Sequence, residues 1–139
     1  MAASLMTFAH LGALARERFG WQLYTAMRYL ASGEVERVHT SDPLAYPLGG
    51  RKPRRDTPWS RTVLVRGEPY FANDEAGIRA AFEDAEKIIG LGLGAVINVP
   101  VKQGNRVLGT LNFLREAGGY RRAHIAEALA IAEEARGLF

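Results

Sequence analysis

The chain has 139 residues (15.3 kDa), of which 47% are hydrophobic and 24% charged, the size and balance of one globular domain that can bury its own core. It contains no cysteine, which excludes disulfides, a thiolate nucleophile, cysteine-ligated zinc, iron–sulfur clusters and thioether attachment of a cofactor. Eighteen Lys and Arg against 15 Asp and Glu give a formal charge of +3, too slight an excess over a whole domain to mark a nucleic-acid binder. No apolar run approaches the ~20 residues needed to span a bilayer, and the apolar start lacks the basic flank of a secretory signal, so a cytosolic sensory or regulatory module is expected.

In chain order, residues 4–19 predict a helix. Ser4 can cap it, Leu5, Phe8, Leu11, Leu14 and Ala15 recur at three- and four-residue spacings, and Gly20 stops it. Residues 21–30 and 35–40 predict a β-hairpin around Ser32-Gly33-Glu34. Residues 41–58 form a loop with four prolines and the basic residues Arg51, Lys52, Arg54 and Arg55; a loop this long inside a small domain is often functional. Thr57 and Pro58 start a short helix over 59–65, Thr57 as cap and Pro58 where a missing N–H costs nothing. A strand at 69–72 follows, then Asp74 capping a stretch that includes 78–82, then a helical piece at 84–89 broken by Gly90, Gly92 and Gly94. Residues 95–102 and 106–114 are the clearest strands, turning at Gln103-Gly104-Asn105. A last helix runs from about 121 to 139, with Ile125, Ala128, Leu129, Ala132, Ala135 and Phe139 in a narrow seam.

Hairpins make a sheet mostly antiparallel. The expected architecture is α+β, a three-layer α/β/α sandwich spanning residues 1–139 as one domain. The first and last helices cover one face and the middle helices with the long loop cover the other. The small residues of the last seam permit close helix approach, so a homodimer through helices 4–19 and 121–139 is expected.

Two stretches resemble a known family. Arg66-Gly67-Glu68-Pro69-Tyr70-Phe71-Ala72-Asn73-Asp74 is similar to the middle of GAF domains, where a short helix ends in glycine, a G-x-P strand follows and an aspartate opens the next helices. Ile97-Asn98-Val99-Pro100-Val101 and Val107-Leu108-Gly109-Thr110-Leu111-Asn112-Phe113 resemble the terminal GAF hairpin, with its proline near one strand end and V-x-G-x-L in the next. The resemblance covers residues 5–139 and implies an antiparallel sheet of five or six strands, with a small-molecule pocket between the sheet and the loop-plus-short-helix side. Members of the family bind cyclic nucleotides, tetrapyrroles, haem, oxo acids or amino-acid derivatives, and many dimerise through their first and last helices. Without cysteine, the family's reduction of free methionine sulfoxide and covalent bilin attachment are excluded here. The Asn-Lys, Phe and Asp-Glu arrangement of cyclic-nucleotide binders is also missing.

No chemistry beyond binding is evident. His10, His39 and His124 offer no local metal-ligand pair, and G-x-S-x-G, P-loop and dinucleotide patterns are absent. No metal and no cofactor is expected. For the pocket, a hairpin turning at Gly104-Asn105 sets Val99 opposite Thr110 and Ile97 opposite Asn112, all on one face. Thr110 and Asn112 then supply polar groups, Trp59 and Phe71 walls, and Tyr46 a lid, while Arg54, Arg55 or Arg61 can take an anion. The expectation is a stand-alone, non-catalytic GAF-like domain that binds a small cytosolic metabolite and acts in signalling or regulation. The alternative is a ligand-free dimerisation or protein-interaction module whose pocket is filled by Trp59, Phe71 and Ile97. An unrecognised hydrolase or reductase stands third.

Overall fold

The computed structural model describes residues 6–139. A six-stranded, wholly antiparallel sheet runs in the order β3-β2-β1-β6-β5-β4. Its strands are β1 (Leu23–Tyr29), β2 (Val35–Thr40), β3 (Arg51–Lys52), β4 (Tyr70–Ala72), β5 (Ala95–Gln103) and β6 (Arg106–Arg115). This is the expected α+β sandwich at the upper end of the expected strand count, with a two-residue edge strand, β3, inside the loop read as irregular.

The helices begin where short polar side chains can accept their free N–H groups. Thr7 caps α1 (Phe8–Arg18), its hydroxyl accepting from His10 N at 3.1 Å; Ser4, the cap expected from sequence, lies outside the described residues. Thr57 caps α2 (Pro58–Ser60) in a reciprocal box with Ser60, and Asp74 caps α3 (Glu75–Ala81) by accepting from Gly77 N at 2.9 Å. After one turn α2 passes into a π-helical turn, Arg61–Val65, rather than continuing as the α-helix expected over 59–65. Gly67, at φ +65°, reverses the chain into β4, a conformation that glycine adopts freely. α4 (Ala85–Gly90) follows α3, and α5 (Ala123–Glu134) ends five residues before the C-terminus in a 3-10 turn, Arg136–Leu138, so the last helix is shorter than the expected 121–139.

Helices α1 and α5 lie on one face of the sheet, over the fully buried row Tyr24, Phe113 and Ile97 and the row Ala26, Leu111 and Val99. Tyr24 stacks on Phe113 (5.1 Å, 5°), and Phe19 meets the same ring edge-on at 5.0 Å. Close approach is built in with glycine. A Cβ on Gly12 would stand 2.7 Å from the Tyr24 ring, and one on Gly109 only 2.2 Å from the Met27 carbonyl. Pro100 sits in β5 beyond the end of β4, which stops opposite Asn98, so its missing N–H breaks no ladder.

The seam of the last helix has a different use from the one expected. Ala128, Ala132 and Ala135 are buried in the chain's own core, against the β5 side of the sheet. Their small size lets α5 settle onto the strands, so these three alanines are taken up within the chain.

Candidate functional site

The opposite face of the sheet carries a row of polar side chains where its neighbours are apolar. Thr25, Asn112 and Asn98 stand side by side on β1, β6 and β5, each at most 6% exposed. Helix α2 places Trp59 above them. The indole Nε1 donates to Asn98 Oδ1 at 3.0 Å, Asn98 Nδ2 donates to Asn112 Oδ1 at 2.9 Å, and Asn112 Nδ2 donates to Thr25 Oγ1 at 3.1 Å. An indole N–H can only donate and a backbone carbonyl can only accept. With Trp59 at one end and the Thr25 carbonyl, 3.4 Å from Asn112 Nδ2, at the other, both amides are fixed in orientation. Paired amides in a low-dielectric setting are stable when connected in this way and costly when broken.

Between this row and the α2–α3–α4 layer lies a cavity of about 270 Å³. Leu23, Met27, Leu64, Ile88 and Leu114 form apolar walls, with Trp59 and Phe82 over them. Apolar walls with a few converging polar groups are the usual make-up of a small-molecule site. Two of these groups have donors left over: the second Nδ2 hydrogen of Asn98 and the Thr25 hydroxyl hydrogen meet no acceptor among the described residues.

The rim is charged. Tyr46, 7% exposed, closes one side, its hydroxyl 3.4 Å from Asp84 Oδ2. Burial, reinforced by Asp84, raises the Tyr46 phenol above its usual range, so it stays protonated and can donate. The Arg37 guanidinium and Lys87 ammonium lie 5.0 and 4.2 Å from the centre of its ring. Lys52, on β3, sits 6.0 Å from the centre of Phe82. Desolvation lowers its pKa, and Arg37, Arg55 and Lys87 add repulsion that Asp84 opposes.

Of the residues expected to form a site, Tyr46, Trp59, Asn112 and Arg55 line this cavity, Arg55 in an ion pair with Glu83. Ile97, Val99 and Phe71 do not. Ile97 and Val99 are fully buried on the α1–α5 face, and Phe71 pairs with Ile97 and lies on that face beneath the Arg122 guanidinium. The error is one of register. The pairing expected from the turn holds for Gln103 with Arg106 and Lys102 with Val107, but a bulge then shifts it by one, so Val101 meets Gly109 and Asn98 meets Asn112. A slip of one residue turns a strand's side chains to the other face. The alternative of a pocket filled by Trp59, Phe71 and Ile97 falls for the same reason.

Thr110 is on the cavity's side of the sheet but outside the lining, paired with Met27 and Pro100, and its buried hydroxyl has no hydrogen-bond partner. Arg54 packs its stem over the Gly33 turn, and Arg61 pairs with Asp56; neither lines the cavity. The sequence reading missed Thr25, Asn98 and Arg37, and singled out Lys52 only as one of the basic residues of the loop. Asn98 was open to detection as a lone amide inside an apolar strand.

His39 packs its ring against Tyr24 and Phe8, at 5.0 and 5.7 Å, on the α1 side. No group of three or more His, Asp or Glu able to hold a metal occurs among the described residues. None of their helices is long and apolar enough to cross a membrane.

No protein-family model and no curated protein matches the chain. Solved structures do. The GAF domain/HD domain protein from Geobacter sulfurreducens superposes with a TM-score of 0.75 at 13% identity, covering 94% of this chain and 87% of that one. The GAF domain of a two-component sensor histidine kinase from Bacillus halodurans gives 0.71 at 12% identity, with 95% and 92% covered. The GAF-B domain of DevS from Mycobacterium smegmatis gives 0.66 at 16%, with 91% and 85% covered. Joined to the six-stranded antiparallel sheet between two helical layers, these likenesses give the protein a GAF-like fold.

Proposed function

We propose that this chain is a sensory or regulatory domain that binds a small cytosolic metabolite without transforming it. The observation that carries this reading is the roofed cavity with a connected polar row at its base, Thr25, Asn112 and Asn98, that leaves hydrogen-bond donors unused beside apolar walls and a charged rim. A core built only for stability would fill such a space with side chains, because voids cost stability in proportion to their volume. The likeness to the GAF domain of a sensor histidine kinase supports a signalling context. The lack of cysteine restricts any tetrapyrrole to non-covalent binding.

Thermal-shift screening of the full chain against a metabolite library tests the reading. A guest at a hundred times its dissociation constant stabilises the fold by ~2.7 kcal/mol, and quenching or enhancement of Trp59 emission should accompany the shift. Leu64→Trp, which places bulk in the cavity wall, should abolish the response while the protein stays folded. A library that yields no shift, or a shift that survives Leu64→Trp, overturns it.

A further inference from the structure

The cavity is not electrically neutral. Three cations line it, Arg37, Lys52 and Arg55, against two carboxylates, Glu83 and Asp84. Arg55 is engaged by Glu83, and Asp84 takes the Tyr46 hydroxyl. Arg37 and Lys52 have no carboxylate within ion-pair distance among the described residues.

Arg37 is also incompletely bonded. Its NH1 donates to the Pro47 carbonyl at 2.9 Å, which holds the side chain in place, while Nε is buried without a partner. A buried N–H of a guanidinium left unpaired is costly. Arg37 is half-buried and Lys52 exposed, both lining the cavity, so a negative guest would offset two charges that lack a carboxylate partner. The surrounding space is small. About 270 Å³ equals roughly nine waters at ~30 Å³ each, which suits a guest of about ten non-hydrogen atoms.

We propose that the cavity takes a compact monoanion, with its carboxylate between Arg37 and Lys52 and its apolar body against Trp59, Phe82 and Leu64. One negative charge brings the lining to neutrality; a dianion would overshoot it and meet Asp84 and Glu83, and a cation would add to the excess. The inference rests on the ligand-binding reading above and adds the charge class and the residues that select it. Arg37 comes from β2 and Lys52 from β3, so the selecting charges sit on the edge of the sheet and the shape-selecting rings on the helical layer.

The test uses the full chain with phenylacetate, its neutral isostere phenylacetamide, and phenethylammonium, titrated by Trp emission and by melting temperature. Phenylacetate should bind about tenfold or more tightly than the amide, as expected for a charge-assisted, bidentate contact, and the ammonium should bind weakest. Lys52→Met and Arg37→Met should each erase that preference; Arg106→Met, at the exposed β5–β6 turn, should leave it intact. If Arg37→Met fails to fold because Pro47 loses its donor, Lys52→Met still decides. Equal binding of acid and amide overturns the charge class but leaves the cavity a binding site. A preference that survives both substitutions overturns the assignment to Arg37 and Lys52. Absence of binding by all three probes at millimolar concentration overturns the monoanion class, while the binding reading itself falls only with a metabolite library that yields no thermal shift.

Discussion

The two faces of one sheet are made from alternate residues of the same strands, yet they are built on different rules. Toward α1 and α5, Tyr24, Phe113, Ile97, Val99 and Leu111 are at most 1% exposed and pack without polar interruption on that side of the strands. Toward α2–α4, the intervening residues Thr25, Asn112 and Asn98 form a hydrogen-bonded row beside a space of about 270 Å³. The first face is expected to supply stability through dispersion and burial. The second forgoes some of that stability and holds a fixed pattern of donors. A domain that must both stay folded and admit a guest can divide these duties by strand parity.

The contrast is most exposed to test at Phe113. Its removal in Phe113→Ala deletes a fully buried ring from the solid face and should cost about 4 kcal/mol in chemical denaturation. A loss no larger than that of an exposed substitution would break the distinction between the faces.

On the hollow face the energy is carried by bonds instead of bulk. Trp59→Phe keeps the aromatic wall but leaves Asn98 Oδ1 without its 3.0 Å donor, and should cost ~1–2 kcal/mol. An unchanged unfolding midpoint would mean that the amide row does not depend on its tryptophan end.

Thr110 sharpens the comparison in the opposite direction. Its buried hydroxyl has no partner, so Thr110→Val, nearly isosteric, should stabilise the protein by about 1 kcal/mol. A loss of stability would show that the hydroxyl is bonded in solution.

The smallest effect concerns His39, wedged between Tyr24 and Phe8. Burial depresses its pKa from 6.5. Folding therefore favours the neutral ring: the associated stability is complete above pH 6.5 and is lost as the pH falls below it toward the folded-state value. His39→Gln should flatten the decline in melting temperature between neutral pH and about pH 5; an identical decline in both proteins would exclude His39 as its source.

Much of the framework was legible because its determinants are local. Thr57 and Asp74 can cap helices by reaching their own next turn, Gly67 can reverse the chain, and the turn at Gly104-Asn105 brings β5 and β6 together. The site was legible only where a residue's role did not depend on register, as with Trp59 and Tyr46. Ile97, Val99 and Phe71 were placed in it because alternation was counted from the turn, and nothing in the local pattern announced the bulge beyond Lys102. The meeting of Arg37 with Lys52 was hidden for another reason. They converge from separate strands, and the charge count of a chain does not show which cations lack a carboxylate.

That bulge has a consequence of its own. The tip of the terminal hairpin and its root follow opposite odd–even counts, and the changeover lies beside Leu108, next to the glycine that lets β1 approach. Deleting Leu108 would take out the extra residue and leave every pair from Val101–Gly109 to Ala95–Arg115 as it stands, so the amides would keep the hollow and the phenylalanine the core. The bulge thus lets the hairpin tip carry one residue more than its pairing needs, while the division of lining from core is held by the pairs below it.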